Sequence, residues 1–206
     1  AQAGGGRNGM CGIAAPSANR FGRISPTDAA HVHEELGDAV SLVLDGGPCH
    51  KGIESTVVSL VGPARVLRPG VITAAQLSEA LGAPVGAYNP ITHGPERTLE
   101  SPGQLATHYA PRTPAWLVNS ADLESAAREL APAVLLARSA QPERPGVRVI
   151  AMPGEDLTYA AALYRSLREA DGAGVRAILI ETPPGNTDIW QAIWDRLSRA
   201  ARRFNR

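Results

Sequence analysis

The sequence predicts an α/β fold, and three observations support this. Short apolar segments alternate with amphipathic helical segments along most of the chain, as in α/β layer architectures. The length of 206 residues allows one large domain or two small ones. A proline-rich stretch without sustained periodicity interrupts the alternation, and such stretches are usually linkers or functional lids. We therefore predict a first α/β part (residues 1–82), a linker or lid (83–114) and a second α/β domain (115–206).

The first part is predicted to contain two helices and three strands. Thr73 is a cap candidate for the second helix, and Gly37 and Gly82 are natural helix ends. The helices are predicted near Asp28–Leu36 and Thr73–Leu81, and the strands at Val40–Leu44, Ser55–Val61 and Arg65–Leu67.

The second domain is predicted to form a small parallel sheet, because its short apolar strands are separated by helices. On the last helix, Ile189, Ile193 and Leu197 are spaced four apart and form one buried stripe. The predicted strands are Trp116–Val118, Val134–Ala137, Val147–Ala151 and Ala177–Glu181, and the helices are Ala121–Leu130, Leu157–Ala170 and Thr187–Arg203.

The charge balance argues against two classes of partner. Lys plus Arg and Asp plus Glu both number 20, so the net charge is zero, which disfavours a broad nucleic-acid footprint or an anionic membrane surface. The two cysteines, Cys11 and Cys49, have neither zinc-site spacing nor a disulfide framework, and no apolar run is long enough to span a membrane. We therefore expect a cytoplasmic protein, and the sequence suggests no metal-ligating residues.

The first polar loop whose residues could bind a ligand extends from Ala15 to Thr27. It combines the hydroxyls of Ser17, Ser25 and Thr27 with the amide of Asn19, just before a predicted helix. Hydroxyls, backbone N–H groups and a helix N-terminus together suit an anion or a phosphate. An ordinary capped loop is an equal alternative from the residues alone.

Two further loops carry the other candidate residues. Ser55 lies where a strand begins, after the glycine-rich loop from residue 45, and Arg68 lies on a turn nearby and suits a carboxylate or phosphate. A surface arginine on a hairpin is the commoner case. His108 and Tyr109 lie in a proline-bounded segment that could fold over a site or could be a docked linker whose tyrosine only packs.

Taken together, these loops resemble the L-threonylcarbamoyladenylate synthase family, also called YrdC-like, in its longer two-domain form. The resemblance covers about residues 13–111 in order and spacing, and the last part of the chain is similar to the smaller accessory domain of that form. The matching motifs are Ala15-Pro16-Ser17-Ala18-Asn19, Gly52-Ile53-Glu54-Ser55-Thr56-Val57, Leu67-Arg68-Pro69-Gly70, Ser101-Pro102-Gly103 and His108-Tyr109-Ala110-Pro111.

The resemblance implies a fold and an activity. The fold would be the C-terminal part of a YrdC-like twisted mixed-sheet domain, a long linker and a small Rossmann-like α/β accessory domain. The family condenses L-threonine, bicarbonate and ATP, usually with Mg²⁺, into threonylcarbamoyl-AMP and diphosphate. A separate threonylcarbamoyl transferase complex then moves the threonylcarbamoyl group to an adenosine next to the tRNA anticodon.

The resemblance also implies roles for individual residues. ATP would be bound by Ser17 and Asn19 at the phosphates, with Ser25 or Thr27 nearby, by Arg68, and by His108 and Tyr109 in the closing linker. L-Threonine would be bound by Ala15 and Ser55. No residue is assigned an individual catalytic role.

The sequence departs from the family pattern at its start. The family's catalytic domain begins with a long N-terminal half that carries a Lys-x-Arg motif for ATP, whereas Lys51 is the only lysine here. Removing one transition-state hydrogen-bond donor costs about 10²–10³ in rate, and several would be missing. We therefore expect a fragment or a truncated gene product that is inactive or weakly active alone.

Two alternatives remain from the sequence. A non-catalytic nucleotide- or RNA-binding module of the same fold, binding double-stranded RNA or tRNA, would use a local patch of Arg20, Arg23, Arg65 and Arg68. A degenerate product that folds poorly would expose an unpaired sheet edge. The zero net charge counts against the RNA-binding alternative.

Overall fold

A computed structural model describes residues 4–5, 11–12, 17–89 and 108–205 of the chain. Within these ranges nine strands and five helices follow one another. In chain order they are β1 (Gly4–Gly5), β2 (Cys11–Gly12), α1 (Ala29–Leu36), β3 (Val57–Ser59), β4 (Arg65–Arg68), α2 (Ala74–Leu81), β5 (Ala115–Val118), α3 (Leu123–Leu130), β6 (Ala133–Ala137), β7 (Val147–Ala151), α4 (Asp156–Asp171), β8 (Ala177–Glu181), α5 (Asp188–Ala200) and β9 (Arg202–Arg203).

The C-terminal half is a parallel five-stranded sheet covered by helices on both faces. The strand order is β7-β6-β8-β5-β9, and every pair of neighbours is parallel. Strands β6 and β8 are completely buried, which matches the apolar run of β6 and the first four residues of β8. Helices α4 and α5 pack on one face with Leu136 and Ile180, and α3 packs on the other with Leu135 and Leu179. The prediction of a parallel α/β sheet is confirmed.

Where it is described, the first part of the chain contains short strands and two eight-residue α-helices. Strands β3 and β4 form an antiparallel pair, as do β1 and β2, and neither pair joins the five-stranded sheet. The Asp28 carboxylate caps α1 by accepting from the His31 backbone N–H at 2.9 Å, and Thr73 forms a capping box with Gln76 at the start of α2. The buried Ile24 and Ile53 belong to the same apolar cluster as α4 and α5, so this part shares its core with the C-terminal sheet.

The predicted buried strand Val40–Leu44 is wrong. These residues have no strand pairing, and the side chains of Leu42 and Leu44 are 74% and 80% exposed. An apolar run becomes a strand only when a neighbouring strand satisfies its backbone hydrogen-bonding groups. Within the described residues no strand pairs with residues 40–44. Val40–Leu44 therefore has the composition of a strand but lacks the neighbouring strand that a sheet requires.

The predicted last helix is three residues too long. It ends at Ala200, and Arg202–Arg203 instead forms β9, which pairs with β5 at Trp116 and Leu117. The helical pattern continues through these arginines, but pairing at the sheet edge determines their conformation. Elsewhere β7 and β8 have the predicted limits, the other predicted elements that form differ by one or two residues at an end, and β1 and β2 were not predicted.

The described ends of the predicted linker contact the first part of the chain. Gly86 exchanges backbone hydrogen bonds with the β4 region, and the Ala110 N–H donates to the Gly22 carbonyl at 2.9 Å. Within the described residues, no helix combines the length and apolarity that crossing a membrane requires.

Candidate functional site

One predicted site residue, Ser25, contacts the carboxylate of Glu54, and another, Ser55, follows Glu54 in the chain. The buried Ser25 hydroxyl donates to Glu54 Oε1 at 2.6 Å. Glu54 directly precedes Ser55, whose side chain is exposed at the surface. The loop that holds Ser25 and the loop that holds Ser55 are therefore joined through one carboxylate.

Arg68, at the end of β4, fixes the backbone of the second loop. Its Nε and Nη2 both donate to the Ser55 carbonyl oxygen, at 3.2 and 2.9 Å. The turn that follows also packs tightly, because a Cβ on Gly70 would lie 2.5 Å from the Thr56 nitrogen. The Thr56 hydroxyl accepts from the Ile72 N–H and donates to the Ile72 carbonyl. The Ser55 hydroxyl is thus presented to solvent on a loop held from both sides.

His108 and Tyr109 lie next to the same cluster. The Tyr109 ring is buried and stacks on Tyr164, with ring centroids 5.6 Å apart, and the Arg196 guanidinium lies 5.8 Å from its centroid. Tyr109 has a φ of 61°, an uncommon backbone conformation for a bulky residue, which indicates that its packing determines it. The His108 ring meets Phe21 edge-on at 6.1 Å.

The electrostatics of His108 follow from its position. Burial lowers the pKa of its imidazole below the ordinary value, so the ring is neutral at pH 7. Its Nδ1 is buried and has no hydrogen-bond partner within the described residues. A neutral ring with an unused polar atom suits contact with a polar ligand better than permanent ion pairing.

The remaining predicted residues lie apart from this cluster or outside the described residues. Ser17 is exposed, and its carbonyl accepts from the Asn19 N–H. The Asn19 amide donates to the carbonyls of Arg20 and Arg23, and its Oδ1 is buried without a partner in the described ranges. Thr27 is buried, with its hydroxyl 3.0 Å from Nδ1 of His31. Ala15 lies outside the described residues.

Sequence reasoning missed three residues at this cluster: Glu54 itself, Tyr164 on α4 and Arg196 on α5. Tyr164 donates to Glu54 Oε2 at 2.9 Å, and Arg196 donates to the same oxygen at 3.2 Å. Helical spacing offered one signal for Arg196, because it lies three residues after Ile193 and so falls on the buried stripe of the helix.

The residues present do not fit a protein-held Mg²⁺ ion. In the described part of the chain, no three His, Cys, Asp or Glu side chains are grouped as metal ligands. The carboxylate at the cluster, Glu54, already accepts from a serine, a tyrosine and an arginine. Mg²⁺ demands a nearly ideal octahedron of oxygen ligands, and these contacts leave no such set.

All four tyrosines have raised phenol pKa values, and burial is the main cause in each case. Burial, followed by the nearby Asp195 carboxylate, raises the pKa of Tyr88 to about 12. Folding therefore favours the protonated phenols. The stability that this contributes is complete below pH 10, the ordinary tyrosine pKa, and is lost as the pH rises towards 12.

We predict that the folded chain shows less tyrosinate absorbance at pH 10 than the urea-unfolded chain, which is about half ionised there. Spectrophotometric titration of both states measures this. Tyr88→Phe should remove one ionisation step near pH 12 from the titration of the folded chain. A folded wild type that ionises one tyrosine near pH 10 would contradict the packing described above.

Two family models match the chain. The model described as "Threonylcarbamoyl-AMP synthase, C-terminal domain" matches residues 72–202, and the model described as "Telomere recombination" matches residues 6–70.

Curated relatives and a solved structure agree with these matches. A Bacillus subtilis threonylcarbamoyl-AMP synthase is 33% identical over 199 residues, and one from Pyrococcus abyssi is 30% identical over 200 residues. Each alignment covers 92% of this chain and 57% of the relative, so the chain spans little more than half the length of these proteins. A crystal structure of P. abyssi Sua5 with L-threonine is similar with a TM-score of 0.74 at 25% identity, over 91% of this chain and 58% of that one.

Proposed function

Since the chain belongs to the threonylcarbamoyl-AMP synthase family, we propose that it carries the part of such an enzyme that binds L-threonine and encloses ATP. The single observation that best supports this is the joining of the Ser25 and Ser55 loops at Glu54, with Arg68 fixing the second loop. The solved relative was crystallised with L-threonine, which supports this amino acid as the ligand.

Each residue then has a physical task. The exposed Ser55 hydroxyl can bond a polar group of L-threonine, and Ala15 would line the same site. Arg68 supplies positive charge for the nucleotide, and Ser17 and Asn19, with Ser25 or Thr27, supply hydroxyl and amide groups near the phosphates. His108 and Tyr109 would close over the nucleotide and shelter an adenylate from water.

We propose the overall reaction for the enzyme to which this chain belongs. L-Threonine, bicarbonate and ATP would give threonylcarbamoyl-AMP and diphosphate, and a threonylcarbamoyl transferase complex would use the product on tRNA. Mg²⁺ would be held by phosphate oxygens of the nucleotide. The organisation proposed is a catalytic part (1–82), a linker or lid (83–114) and a Rossmann-like accessory domain (115–206), in the cytoplasm.

Calorimetric titration of the 206-residue chain with L-threonine and with ATP tests the proposal. We expect both to bind, and we expect Ser55→Ala to weaken L-threonine binding about tenfold, because a lost hydrogen bond to a charged or polar ligand has roughly that effect. Ser125→Ala is the matched control, since the Ser125 hydroxyl bonds the Asp122 carbonyl far from Ser55 in sequence and should leave binding unchanged.

Two outcomes would overturn the proposal. A well-folded chain that binds neither L-threonine nor ATP would show that this part has no ligand site of its own. Binding to RNA with a steep salt dependence, and no effect of L-threonine, would favour the RNA-binding alternative. The structure gives that alternative little support, because Arg20 and Arg68 already donate to the carbonyls of Glu35 and Ser55.

A further inference from the structure

The C-terminal domain reaches into the candidate site with two side chains. Tyr164, in the middle of α4, donates its hydroxyl to Glu54 Oε2 at 2.9 Å. Arg196, near the end of α5, donates Nε to the same oxygen and Nη2 to the Glu54 carbonyl, both at 3.2 Å. Both the side chain and the backbone of Glu54 are therefore held from outside the first part of the chain.

The other oxygen of Glu54 faces the first ligand loop. Oε1 accepts from the Ser25 hydroxyl at 2.6 Å, and this distance is typical of a short bond to a carboxylate. A displacement of Glu54 would therefore move the Ser25 hydroxyl through this bond and Ser55 through the chain.

Helix α4 also fixes the backbone around Ser25. Arg168 donates Nη2 to the Ile24 carbonyl at 2.5 Å and Nε to the Ser25 carbonyl at 3.3 Å. Its charge is paired with the Glu35 carboxylate at 3.4 Å, with both side chains buried. Because these bonds hold the main chain, the conformational freedom left to Ser25 is the rotation of its side chain. The hydrogen bond to Glu54 restrains that rotation.

We propose that Glu54 is a positioning residue for both ligands, and that Tyr164 and Arg196 set its place from the C-terminal domain. This rests on the proposed function, which assigns Ser25 to the ATP site and Ser55 to the L-threonine site. Hydroxyls that bind ligands lose affinity when displaced by a fraction of an ångström, so Glu54, bonded to Ser25 and adjacent to Ser55, affects both sites. The C-terminal domain thereby acts on ligand binding without touching either ligand.

Tyr164→Phe tests this, because it removes one hydroxyl and keeps the ring that stacks on Tyr109. We expect L-threonine and ATP to bind about tenfold more weakly, the effect of one hydrogen bond to a charged group. Tyr159→Phe is the matched control, because Tyr159 is also buried on α4 and its hydroxyl has no partner within the described residues. It should leave both affinities unchanged.

A double substitution separates positioning from general stability. Glu54→Gln should weaken both ligands, and Tyr164→Phe added to it should cause little further loss, because the carboxylate through which Tyr164 acts is already gone. Affinities are measured at a temperature where every variant is fully folded. Unchanged affinities in folded Tyr164→Phe, or full additivity of the two substitutions, would overturn the proposal.

A separate measurement distinguishes this proposal from the proposed function. Backbone amide resonances of Ser25 and Ser55 report loop position without any ligand. If the wild type binds neither ligand, the proposed function fails, and Tyr164→Phe must still shift both resonances while Tyr159→Phe shifts neither. If Tyr164→Phe leaves both resonances in place, Glu54 does not couple the loops.

Discussion

Replacing Arg196 with alanine is expected to destabilise the folded chain by about 3–5 kcal/mol, because it removes the buried counter-charge of the Glu54 carboxylate. The side chain is completely buried. Its guanidinium donates to Glu54 Oε2 at 3.2 Å, to Asp195 Oδ2 at 3.3 Å and to the Pro69 carbonyl at 2.6 Å. For a chain of this length, that loss lowers the melting temperature by roughly 6–20 °C.

Two comparisons make the result specific to burial. Arg128→Ala breaks an ion pair with Glu124 at 2.7 Å whose side chains are 78% and 73% exposed, and it should cost less than about 1 kcal/mol. Arg196→Lys keeps the charge but loses the planar fork that reaches three partners, so an intermediate loss is expected. Thermal and urea unfolding measure all three variants. A loss for Arg196→Ala as small as that for Arg128→Ala would mean that the Glu54 carboxylate does not depend on this guanidinium.

The C-terminal sheet was predictable because its local signals agree with its environment. The strands Ala133–Ala137 and Ala177–Glu181, apolar except for Glu181 at the end, are buried on both faces, so composition and conformation match. Val40–Leu44 carries a similar apolar signal and still lies exposed, because strand formation depends on a neighbour that local sequence does not reveal. Arg202–Arg203 illustrates the same limit at a helix end, since pairing with β5 determines its conformation.

The candidate site was predictable in its loops but not in its connections. Hydroxyl and arginine residues in turns suggested Ser25, Ser55 and Arg68, and Ser25 lies beside Glu54 while Arg68 holds Ser55. Tyr164 and Arg196 are more than a hundred residues away from Glu54 in sequence, and a helical arginine is ordinarily read as a surface residue. Only the packing of α4 and α5 against the loop reveals them.

Gly52 marks the place where that packing is closest. Its φ is +71°, and a Cβ there would lie 2.3 Å from the Ala160 carbonyl oxygen and 2.5 Å from the Ala161 Cα, both backbone atoms of α4. Helix backbone cannot yield as a flexible side chain can, so any larger residue forces the loop away from the helix. Because Glu54 follows two residues later, the same movement would pull it from Tyr164 and Arg196.

Gly52→Ala is therefore expected to cost about 2–5 kcal/mol, combining an unfavourable backbone conformation with a steric clash. We also expect the folded fraction of this variant to bind no L-threonine, because Ser55 moves with the loop. Urea unfolding and calorimetric titration measure the two effects.

Gly47→Ala separates conformation from sterics, because Gly47 has a φ of +83° but nothing within 4 Å of its Cβ position. It should cost only about 1–2 kcal/mol, the price of the backbone conformation alone, and should leave binding intact. The difference between the two alanine variants then measures how firmly α4 supports the loop. Equal losses, with L-threonine binding retained in both, would show that the loop does not need this contact, and the C-terminal domain would then hold Glu54 by its side-chain hydrogen bonds alone.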